Sequence, residues 1–174
     1  MALGRLQGAQ VEPSRQAEVV KLLEPLVIAE APWDRDNAVR TLGVWGNHES
    51  VLVLLNALDG YASKKWPRGP LLQALERIKD PSCTERVAAA LTVRDDMHQA
   101  ADVLVLLGEA GERATWKYLD HPDFDVWNTA FGIIQSIGTD ASIPIVRNVL
   151  NGPDKNPLKA KTARVTLEML GASD

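Results

Sequence analysis

The sequence predicts an all-α protein, a right-handed α-α superhelix (an α solenoid) of about five helix pairs. Three observations carry that expectation: one segment recurs along the chain, apolar residues within each copy fall at helical spacing, and strand signals are nearly absent. The reference segment is Ala38 to Leu58, AVRTLGVWGNHESVLVLLNAL. It matches Leu71 to Leu91 and Ala130 to Leu150 without a gap. Val103 to Leu119 matches after a deletion of four residues, and Ala163 to Gly171 supplies a first half only. Units starting at 38, 71, 103, 130 and 163 are spaced by 33, 32, 27 and 33 residues.

Each unit reads as two amphipathic helices joined by a tight turn. In the first, Ala38, Leu42 and Trp45 form one stripe and Val51, Leu54, Leu55 and Leu58 another. Leu71, Leu75 and Ile78 with Val87, Ala88 and Leu91 repeat the pattern, as do Ala130, Ile134 and Ile137 with Ile143, Val146 and Leu150. Gly46, Asp80-Pro81, Gly111 and Gly138 mark the turns, with glycine expected in the left-handed conformation that ends a helix and proline starting the next. Asp34, Asp95 and Asp123 or Asp125 stand where first helices need an N-cap. A capping helix over about 14–30 precedes the repeats, with Val19, Val20, Leu23, Leu26 and Val27 inward and a kink or break expected at Pro25.

One helix pair cannot bury its own apolar face, so neighbouring pairs must stack on a continuous core. The expected organisation is a flexible leader or linker over 1–12 and a single solenoid over 13–174, with units at about 34–60, 67–93, 95–120, 123–151 and 157–171. The last unit stops after one helix. Its outer face is expected to be polar in part, through Lys159, Lys161, Arg164 and Glu168, which suggests the C-terminal domain of a longer protein.

Composition narrows the function classes. With 174 residues, 45% of them hydrophobic, the chain can build a core. The lone Cys83 excludes an internal disulfide and a CxxC site, and no apolar run approaches the roughly 20 residues of a membrane span, so the expected location is cytoplasmic. A net charge of −4 argues against a polyanion as the main partner. Five Trp stand among only two Tyr and two Phe, so each Trp invites an explanation.

The pattern AxxxLGxxGxxxxVxxLxxAL of Ala38 to Leu58, echoed by LLGEAGERA at Leu106 to Ala114 and IGTDASIPIV at Ile137 to Val146, resembles HEAT repeats. It is most similar to the shorter bacterial, lyase-type kind, over about residues 37–171. The resemblance implies the solenoid fold and leaves function open, because one scaffold carries many activities. It permits three roles: a protein-interaction scaffold, a nucleic-acid binder, or a lyase or chaperone for a tetrapyrrole-bearing protein.

No chemistry-bearing motif stands out. His48-Glu49 occurs once, whereas the di-iron hydroxylases built on HEAT repeats use several such pairs, so it reads as the polar start of a helix. Asp120 to Asp125 holds three carboxylates and His121, yet lacks the Gly and distal Glu of a calcium loop, so it reads as a helix cap. Acidic neighbours Asp80 and Glu85 disfavour a Cys83 thiolate. No catalytic residue, metal or cofactor is therefore expected. The function expected first is a non-catalytic scaffold or regulatory module for a protein or peptide partner.

Its binding residues are read from the second helices, where positions between the core residues face outward: Val53, Asn56, Arg86, Lys117, Ile145 and Asn148. Two tryptophans join them. Trp66 stands among Lys64, Lys65, Arg68, Arg77 and Lys79, a basic cluster that offers nucleic-acid binding as the alternative function. Trp127 occupies a position where HEAT repeats commonly carry Arg, which suggests an exposed interaction residue. Trp45 and Trp116 fall in the core register, and Trp33 is expected to staple a helix start.

Overall fold

Ten α-helices build the described part of the chain, and no strand occurs among the described residues. The computed structural model describes residues 13–154 and 156–172, so the expected leader over 1–12 lies outside them. The helices are α1 (Pro13–Val27), α2 (Pro32–Trp45), α3 (His48–Lys64), α4 (Gly69–Ile78), α5 (Thr84–Ala89), α6 (Met97–Leu106), α7 (Glu109–Thr115), α8 (Phe124–Ile137), α9 (Ile143–Asn151) and α10 (Pro157–Met169). Short 3-10 turns lead into or extend α5, α7 and α9.

Packing is between neighbours. The even-numbered helices form one row, α2 on α4, α4 on α6, α6 on α8 and α8 on α10. In the second row α1 packs on α3 and α5 on α7, and the rows join through α1 with α2, α3 with α4, α5 with α6, α7 with α8 and α9 with α10. Between them runs one continuous core in which Leu42, Val51, Leu54, Leu71, Leu75, Leu91, Leu104, Leu119 and Ile134 have no exposure. Each such side chain contributes about 1.5–3 kcal/mol relative to an exposed one, which is what holds helices as short as α5 in place. The aliphatic stripes read from the sequence supply most of this core.

The turns depart from expectation. Gly46 and Gly138 are extended, at φ −64° and −62°, and neither is left-handed. Glycine is needed there because a Cβ would collide: at Gly46 it would stand 2.5 Å from Ile78 Cγ1, and at Gly138 2.4 Å from the Ile134 carbonyl. Gly111 lies inside α7, and the chain reverses instead at Gly108, whose φ is +56°. Lys65 and Lys79, both at φ +56°, end α3 and α4.

Caps differ too. Asp123 caps α8 by accepting from the backbone N–H groups of Asp125 and Val126. Asp34, by contrast, lies in the first turn of α2 after Ala31 at the cap position, and α6 begins after Asp96, so Asp95 caps nothing. At the turns between paired helices the caps are Asn47, Asp80 and Thr139. Three residues after each, and after Gly108, a small residue is buried: Ser50, Cys83, Gly111 and Ser142. Cys83 is therefore a packing residue, its thiol pushed up to about 11 by burial and then by Asp80. Pro25 does not split α1, which runs unbroken and ends two residues later.

Candidate interaction surface

Among the described residues the two rows end in helices that lack an outer neighbour, α1 and α2 at one end and α10 at the other. On α1, Val20 and Val27 face inward, so Leu22 and Leu26 point away from the core, 72% and 40% exposed. Ile28 follows at 54%, and Trp33, at the start of α2, is 78% exposed. Four large apolar side chains thus stand open within twelve residues. Trp33 staples nothing: the helix has already begun at Pro32. At the other end Leu158, Val165 and Met169, spaced i, i+7 and i+11, form an exposed stripe on α10. The expected polar face is only partly there, since Lys161, Arg164 and Glu168 are exposed but Lys159 is buried.

Lys159 and Trp127 belong together. Trp127 is 1% exposed, which overturns its reading as a surface residue. It lies on the inner arc of α8 with Val126, Ala130, Phe131 and Ile134, edge-on to Phe124 at 5.0 Å and Phe131 at 6.1 Å. Lys159 Nζ stands 5.8 Å from its ring centroid and spends its donors on Asp120 (3.2 Å), Asp154 (2.7 Å) and the His121 carbonyl (3.1 Å). This clamp ties α10 to the loop before α8. The three carboxylates of the run Asp120 to Asp125 are thereby absorbed: Asp120 into the clamp, Asp123 into the α8 cap and Asp125 into a pair with Arg94 at 3.2 Å.

Trp66 is half-buried and engaged. Its ring meets Tyr61 edge-on at 5.3 Å, with the Arg35 guanidinium carbon 3.9 Å and Lys64 Nζ 4.4 Å from its centroid. Arg35 also donates to the Ala29 carbonyl and the Tyr61 hydroxyl to that of Val27, so these groups join the ends of α1 and α3 to the start of α2. Burial raises the Tyr61 phenol to about 12, with Arg35 opposing. The basic cluster is partly neutralised: Lys64 pairs with Glu30, and Arg68 with Asp96. Burial raises the Asp96 carboxyl and Arg68 draws it back. Trp66, Lys65, Arg68 and Asp96 line a groove of about 550 Å³.

The outward positions of the second helices do not converge. Half-buried Val53 and exposed Asn56 share a shallow groove with Glu24, Val27 and Ile28 between α1 and α3. Arg86 bridges to Asp59 at 2.9 Å, and Lys117 to Glu85 at 2.7 Å. The Glu85 bond raises the Lys117 pKa above its usual value. Both cations link adjacent helices of one row. Ile145 packs half-buried against the core and Asn148 is exposed. Trp45 is half-buried, as is Trp116, whose indole N–H donates to the Ser142 hydroxyl at 2.8 Å.

His48 is exposed at the start of α3 and contacts Asp80 at 3.0 Å, tying one turn to the next. Among the described residues no group of three or more His, Cys, Asp or Glu is placed to hold a metal ion, and no helix is long and apolar enough to cross a membrane. Set against known proteins, the chain matches no protein-family model and no curated sequence.

Proposed function

We propose that this protein is a non-catalytic interaction module, a short right-handed HEAT-like solenoid that presents its surface to a protein partner. Neighbour-to-neighbour stacking of helix pairs supports the solenoid reading. The observation that carries the interaction reading is the open apolar group Leu22, Leu26, Ile28 and Trp33 at the α1–α2 end. Contiguous exposed apolar surface marks binding sites on soluble proteins, and Trp is the side chain most enriched where binding energy concentrates. Trp33 replaces Trp127 as the anchor of the site, and Val53 and Asn56 adjoin it through the groove shared with Ile28.

The test is capture from the native cell followed by reconstitution with the recovered protein. Trp33→Ala is expected to weaken the purified complex by about tenfold or more, equivalent to the 1.4 kcal/mol or more expected of an anchor residue. Equal affinity of wild type and both Trp33→Ala and Leu22→Ser would overturn the assignment of this end as the interface.

A further inference from the structure

Between α2 and α4 runs a third groove, lined by Val39, Pro70 and Ala74 with Arg40, Gln73 and Arg77 along its edges. Close approach of the two helices shapes it: a Cβ on Gly43 would lie 2.9 Å from Ala74 Cα. Arg40 and Arg77 are exposed, and among the described residues neither forms a salt bridge with an acidic side chain. Elsewhere Arg68, Arg86, Arg94 and Arg113 each hold a carboxylate. Neither of two acids close in sequence pairs with them. Asp36, which also lines the groove, stands 3.9 Å from Arg35, and Glu76 accepts from Gln99 at 2.7 Å.

Two guanidiniums over a small apolar floor suit a carboxylate, which the planar fork of arginine grips through two parallel hydrogen bonds. We infer that the α2–α4 groove receives an acidic segment of the protein partner, with Arg40 and Arg77 as its anion-binding residues. The inference rests on the interaction-module reading and names the partner's charge. A nucleic acid is the less favoured occupant, because Lys64 and Arg68 are already paired and the chain carries a net charge of −4.

The test uses the full chain and a fluorescein-labelled octaglutamate peptide, read by anisotropy at about 10 mM ionic strength, where the screening length is about 30 Å. Binding is expected to weaken steadily toward about 0.15 M salt. The double variant Arg40→Glu/Arg77→Glu is expected to bind about tenfold more weakly, and Arg164→Glu on α10, a charge change remote from the groove, within about twofold of wild type. Should the double reversal unfold by circular dichroism, Arg40→Gln/Arg77→Gln takes its place. Equal binding by wild type and the folded double variant, or no binding at low salt, overturns the inference. Tighter binding of an oligothymidylate than of octaglutamate at equal salt overturns it in favour of nucleic acid. Trp33→Ala separates the two readings: it is expected to retain peptide affinity while losing the captured partner, so failure of the apolar interface leaves the anion groove measurable on its own.

Discussion

The Glu112 carboxylate on α7 accepts the Ser142 hydroxyl at 2.6 Å, joining α7 to the turn between α8 and α9. It also accepts the Thr139 N–H at 2.8 Å and the Thr139 hydroxyl, while Ser142 in turn accepts the Trp116 indole N–H. Glu112 has no exposure and no basic partner among these contacts. Its charge is met by neutral donors gathered at the start of the turn that leads into α9, where backbone N–H groups favour an anion.

Glu112→Gln is therefore expected to destabilise the protein by about 1.5–3 kcal/mol, the range for hydrogen bonds to a charged group. The amide keeps one acceptor oxygen and turns an NH2 toward groups that themselves donate. Urea unfolding measures the loss. A change below about 0.5 kcal/mol would show that the network is dispensable.

Trp127 and Trp33 make opposite predictions. Trp127→Ala empties a site enclosed by Phe124, Phe131 and Lys159 and is expected to cost about 3–5 kcal/mol. Trp33→Ala removes a side chain with few contacts and is expected to stay within about 0.5 kcal/mol of wild type. Comparable losses in both variants would contradict the placement of the two rings.

That contrast shows where the sequence was legible. Helix pairs and the aliphatic core follow from spacing alone, because Leu42, Leu54, Leu75, Leu91 and Ile134 sit where the repeat puts them. The expectation of an exposed Trp127 follows its departure from the HEAT pattern, whereas its own spacing points inward, since Trp127, Phe131 and Ile134 fall at i, i+4 and i+7 on one helix face. Lys159 had no such signal. A long cationic side chain in a last helix reads as solvated, and only the approach of Asp120, Asp154 and Trp127 from distant parts of the chain buries it. A staple at Trp33 requires the helix to start about one turn later than it does.

Asp80 gives the acid limb of stability. Its Oδ1 accepts the Ser82 N–H at 2.8 Å and its Oδ2 contacts His48 at 3.0 Å. The Ser82 hydrogen bonds, aided by His48, hold its carboxyl below the usual carboxylate range. A folded-state pKa below the unfolded value, about 3.9, means that this stabilisation is present above that value and lost as pH falls through the lowered one. Asp80→Ala is expected to cost about 1 kcal/mol at neutral pH, as for loss of an N-cap, while Asp80→Asn, which keeps the acceptor oxygen, costs less. Unfolding series from pH 7 to about pH 3 should show the gap between wild type and Asp80→Ala narrowing toward acid. A gap that widens on acidification would refute the assignment.

Gly46 tests the corrected view of the turns. Were its role conformational freedom, alanine would fit easily, because φ −64° and ψ 146° lie in a region open to any residue. The obstacle is steric: the new methyl would meet Ile78 Cγ1 and the Leu42 carbonyl, each at 2.5 Å. Gly46→Ala is therefore expected to destabilise by about 1–3 kcal/mol, the usual cost of overpacking. Removing both Cγ1 and Cδ1 of Ile78 relieves the side-chain clash and leaves the one with the Leu42 carbonyl, so Ile78→Ala should recover part of the loss in the double variant while destabilising the wild type on its own. Strict additivity of the two changes would place the cost of Gly46→Ala in the backbone, whereas partial rescue puts the tip of α4 against the turn, as the packing of Ile78 on Gly46 requires.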